Sequence, residues 1–76
     1  MIHAIVRARE RYGLHLDPGD LDRIADDIRT GRTVLMRRHE HGEVHLAMVE
    51  DTAVIAVYNP DFRGISTFLP PRSDRR

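Results

Sequence analysis

The chain has 76 residues, with twelve arginines, no lysine and twelve acids, so its formal net charge is zero. That length holds one domain with a small core. Without cysteine it holds no disulfide, thiolate metal site or cysteine nucleophile. No apolar run approaches the roughly 18 residues of a membrane span, and no signal-peptide pattern opens the sequence, so a cytoplasmic protein with no membrane partner is expected.

Residues 2–12 read as a helix. Ile2, Ile5, Val6, Arg9 and Tyr12 share one face at spacings of three and four, while His3, Arg7 and Arg11 form a polar stripe. Gly13 fits a left-handed stop. Leu16 is placed as a hydrophobic staple for a second helix with Asp17 as N-cap, Pro18 at the first position and Asp20 at the third. Leu21, Ile24, Ala25 and Ile28 give that helix one buried face, and Gly31 ends it.

After Gly31 the apolar period changes from 3.6 to 2. Residues 33–38 are β-rich, 39–42 turn, and 43–49 alternate with Val44, Leu46 and Met48 on one face. Glu50 and Asp51 turn the chain again. Residues 52–58 are almost wholly apolar, as in a central strand covered on both sides. Residues 59–64 hold four turn formers, and 65–69 make a last strand stopped by Pro70 and Pro71. The expected fold is α+β in the order ααββββ: two N-terminal helices on a four-stranded, mainly antiparallel sheet. Residues 1–71 form the single domain, and 72–76 a mobile basic tail.

The charge is unevenly spread along the chain. Residues 1–16 carry +2, 17–31 carry −3, 32–49 carry +1, 50–61 carry −3 and 62–76 carry +3. The second helix is therefore acidic, while the first helix, the first hairpin and the C-terminal end are basic.

The residues carry no complete catalytic set. Ser66 and Ser73 lie in no nucleophile elbow, and no glycine-rich loop is present to cradle phosphate. The run from His39 through His41 to His45 is dense in imidazole and carboxylate. Its spacing matches no standard zinc motif, so it reads as a solvated hairpin tip, and neither metal nor cofactor is expected.

Four segments carry a family resemblance: residues 9–13 (RERYG), the second helix led by Asp and Leu and ending at Gly31, residues 57–60 (VYNP), and residues 65–70 (ISTFLP). The chain resembles small α+β proteins of phages and mobile elements, with the layout of the RelE-like ribonuclease-toxin superfamily. That resemblance implies metal-independent RNA cleavage as one possible activity. It would assign charge neutralisation and proton transfer among His3, Arg7, Arg11, His45, Tyr58 and Thr67. Such toxins are strongly basic, whereas this chain is neutral. The neutral charge ranks a non-catalytic binding protein first. Such a protein would modulate a host protein or ribonucleoprotein complex by surface docking, as an inhibitor of the anti-CRISPR sort does. Direct nucleic-acid binding ranks lower, because binders of nucleic acid are usually basic. The expected docking residues are Asp22, Asp26 and Asp27 on the acidic helix, Arg37 and Arg38 on the first hairpin, and Arg63 in the last turn. A homodimer through an exposed sheet edge or face is the further expectation for so small a core.

Overall fold

The computed structural model describes residues 2–40 and 42–71. The expected mobility of residues 72–76 and any role of His41 lie outside them. Two helices, α1 (Ile2–Tyr12) and α2 (Pro18–Arg29), precede four strands: β1 (Val34–His39), β2 (Gly42–Val49), β3 (Thr52–Asn59) and β4 (Gly64–Leu69). The strands form one antiparallel meander in the order β1-β2-β3-β4. The fold is α+β. No helix of the described residues is long and apolar enough to cross a membrane.

Local chemistry sets the helix ends. The Asp17 carboxylate accepts from the Asp20 N–H at 2.9 Å, and the Asp20 carboxylate accepts from the Asp17 N–H at 2.9 Å, a reciprocal capping box with Pro18 opening the helix. The Asp20 carboxyl is held below its ordinary range, chiefly by that Asp17 N–H. Gly13 and Gly31 follow the two helices at φ +68° and +78°, a conformation open to glycine at little cost. Glu50 and Asp51 both have positive φ, as a two-residue hairpin matched to strand twist requires.

In α2 the buried residues are Leu21, Ile24, Ala25 and Ile28, as the spacing predicts. In α1 they are Ala4 and Ala8, with Ile5 and Tyr12 partly buried, while Ile2 is 78% exposed. The buried stripe is thus rotated from the one that side-chain hydrophobicity suggests. α1 lies against β4, and two alanines let the helix axis come close to the sheet. α2 packs on β4 and β2.

The helices cover one sheet face, formed by Ala47, Val49, Val54, Ala56, Tyr58, Ile65 and Phe68. Val44, Leu46 and Met48 do share a face, but it is the other one. Register puts them there with Ile55, Val57, Thr67 and Leu69. Neither helix packs on that side, where Val44 and Ile55 are shielded by neighbouring side chains while Val34, Leu46 and Met48 stay exposed. Edge strand β1 reaches beyond the helix layer, and every residue in it except Met36 is exposed.

Candidate functional site

Three places bring polar chemistry together. The first is a hydrogen-bonded chain at the start of β1 and β2. His45 lies on the helix-covered face, 6% exposed. Its Nε2 is 3.0 Å from Glu43 Oε1, and its Nδ1 is 2.8 Å from Thr33 Oγ1. An ionised carboxylate only accepts, so Nε2 carries the proton; in neutral imidazole Nδ1 then accepts from the Thr33 hydroxyl. Glu43 Oε2 also accepts from Arg38 Nε at 3.3 Å. The Glu43 carboxyl is held below its ordinary value, first by the His45 hydrogen bond and then by the Arg38 charge. A hydroxyl, imidazole and carboxylate in series is the order that activates a nucleophile in some enzymes. Here the same contacts fasten the α2–β1 connection to the sheet.

The second place is a cleft of about 270 Å³ between the N-terminal half of α2 and the β3–β4 turn. Leu21, Asp22, Phe62, Arg63, Gly64 and Ile65 line it. Phe62 stands out at 59% exposure. Asp22 and Arg63 carry opposite charges, and neither is in an ion pair among the described residues. The turn is firmly built. Asn59 Oδ1 accepts from the Asp61 N–H at 2.8 Å, Arg63 adopts φ +58°, and its carbonyl accepts from Arg29 at 3.3 Å. The Arg29 guanidinium is held above its ordinary range, first by a hydrogen bond with the Tyr58 side chain and more weakly by nearby Asp26.

The third place is on the open sheet face. A groove of about 390 Å³ is lined by Met36, Arg37, Val44, Ile55, Leu69 and Pro70. Val44 and Ile55 are only 2% and 5% exposed and form its floor.

The docking residues expected from the sequence divide into two sets. Asp26 pairs with Arg29 at 3.5 Å, Asp27 with Arg32 at 3.8 Å, and Arg38 with Glu43. Arg23 pairs with Asp20 on the same helix. Three of the four acids of α2 are therefore paired with arginines, two on the helix and one just beyond it. Asp22, Arg37 and Arg63 have no such partner among the described residues. Phe62 carried no polar signal, and only the cleft marks it.

The residues implied by the ribonuclease resemblance are dispersed. His3 is exposed on α1, and Arg7 pairs with Glu10 at 2.7 Å. Arg11 donates to the Phe68 carbonyl at 2.9 Å. His45 and Tyr58 face the helices, whereas Thr67 pairs with Val57 on the open side. Register places His39 on the open side too, away from His45. Among the described residues no group of three His, Asp or Glu is arranged to hold a metal ion. Comparison with known protein families, curated proteins and solved structures finds no match.

Proposed function

We propose that this chain is a non-catalytic binding protein that modulates a larger macromolecular complex by docking on a protein surface. The observation that carries the proposal is the cleft that exposed Phe62 lines together with Asp22 and Arg63, neither of which is in an ion pair among the described residues. An exposed aromatic on a pre-ordered turn loses little freedom on binding, and aromatics dominate interface energetics. The two flanking charges fit a protein segment that presents an apolar side chain between a base and an acid. A host complex as the target, inhibited in the manner of an anti-CRISPR protein, follows from the resemblance to small phage and mobile-element proteins.

The test is capture from the host, identification of the partner, and titration of the purified pair. Phe62→Ala and Asp22→Arg should each weaken binding at least about tenfold, the loss expected of an interface anchor. Asp26→Asn should change it little, because Asp26 is already paired with Arg29. Wild-type affinity in both cleft variants would remove the cleft from the docking surface. RNA incubated with the protein without metal should remain intact. Cleavage that disappears in Thr67→Ala and Arg11→Ala would replace binding with the RelE-like activity.

A further inference from the structure

We infer that the open face of the sheet is a homodimer interface, covered by a second copy of this chain. The inference is independent of the Phe62 cleft, which lies on the helix side of the sheet.

The first argument is the sequence of β3. Val54, Ala56 and Tyr58 face the helices, and Ala53, Ile55 and Val57 face the other way. A strand apolar on both sides belongs in a sheet covered on both sides, yet the described chain supplies one cover. Across all four strands the register aligns Val34, Leu46, Ile55 and Leu69 in one apolar row. The adjoining row is Arg37, Val44, Val57 and Thr67. Beyond the apolar row, Met48 projects at 61% exposure.

The second argument is charge, which selects the occupant. Arg37 is the one Arg, Asp or Glu that register places on this face among the described strand residues, and it has no ion partner among the described residues. The opposite end of the same sheet carries the exposed Glu50–Asp51 turn, also without an ion partner among the described residues. A uniformly basic or acidic partner would match only one end. A second copy turned end for end matches both. A two-fold axis in the plane of the face, crossing the strands between Leu46 and Met48, lays each copy's Leu46–Ile55 row on the other copy's Met48–Ala53 row. It brings each Arg37 toward the other copy's acidic turn and sets each Met48 toward the other copy's groove.

Size fixes the class of complex. Four strands about 4.8 Å apart and about 20 Å long present roughly 400 Å². That lies within the range of the largest apolar patches on monomers and is about half of what a standard interface buries per partner, which places the contact at the weak, reversible end. A reversible dimer of micromolar affinity is therefore expected.

Sedimentation of the full chain at about 100 µM, well above such a dissociation constant, should show a dimer. A monomer at that concentration overturns the inference and leaves the face to a different protein. Leu46→Glu with Met48→Glu alters two exposed side chains outside the helix-side core and should give a folded monomer. A folded variant that still dimerises would move the contact to the β1 edge and overturn the inference. Arg37→Glu should weaken association about tenfold, and Glu50→Arg added to it should recover most of the loss. Failure to recover would overturn the two-fold arrangement, and this pair serves even if the double glutamate variant fails to fold.

Discussion

His45 is nearly buried and has a partner on each ring nitrogen, so its neighbours feel any change there. Glu43 is the member that His45 and Arg38 hold below its ordinary range. Its folded pKa lies below the ordinary 4.5, so the ionised form is favoured by folding. Its contribution to stability is present above the ordinary carboxylate value and is lost as pH falls through the lowered one. Glu43→Gln should therefore be less stable than wild type near neutrality, and the difference should shrink as the pH falls below the carboxylate range. Urea-unfolding midpoints measured across that range would show it. The sequence singled out His45 but did not reveal Thr33 as its partner. The two are twelve residues apart, and only the β1–β2 pairing brings them together. The same holds for Arg11. It reads as a surface residue of a helix, yet it donates to a β4 carbonyl fifty-seven positions away.

At the scale of elements, α1 is joined to the sheet by Tyr12 as well as by its alanines. The Tyr12 hydroxyl accepts from the Ile55 N–H at 3.0 Å and donates to the Leu69 carbonyl at 2.6 Å. It bridges β3 and β4 where their ladder ends, at the paired residues Ile55 and Leu69. Burial raises the pKa of the phenol above its ordinary value, so it stays protonated and able to donate. Tyr12→Phe removes both bonds and leaves two backbone groups unsatisfied. The expected cost is about 1–3 kcal/mol, read from chemical denaturation, with the fold retained. The second helix was fully legible: capping box, proline and apolar spacing all act within a few residues. The first was legible as a helix but not in its orientation, because alanine carries a weak hydrophobic signal and close approach to β4 decided its face.

For the whole molecule, the zero net charge divides into local pairs and unpaired ends. The acids of α2 are largely answered by Arg23, Arg29 and Arg32. Arg37, Asp22, Arg63 and the Glu50–Asp51 turn have no ion partner among the described residues. Coupling between folding and dimerisation gives a further expectation. If the open face is closed by a second copy, the thermal midpoint should rise with protein concentration by mass action. In Leu46→Glu with Met48→Glu the midpoint should become independent of concentration, and a scanning calorimetry series would check both.

The sequence by itself determined the number, type and order of the elements. Helix caps, turn residues and apolar periods are local properties, each written within a few positions. It also showed that β3 is apolar on both sides. Only the tertiary structure decided which face of the sheet the helices take, which charges are already paired, and where Phe62 stands. Those outcomes depend on the approach of segments distant in sequence, through register and helix docking, and no local pattern encodes them. The alternation of β2 gave two faces, one with Val44, Leu46 and Met48 and one with His45, Ala47 and Val49. The helices lie on the second, which left the more apolar face of β2 without a helix.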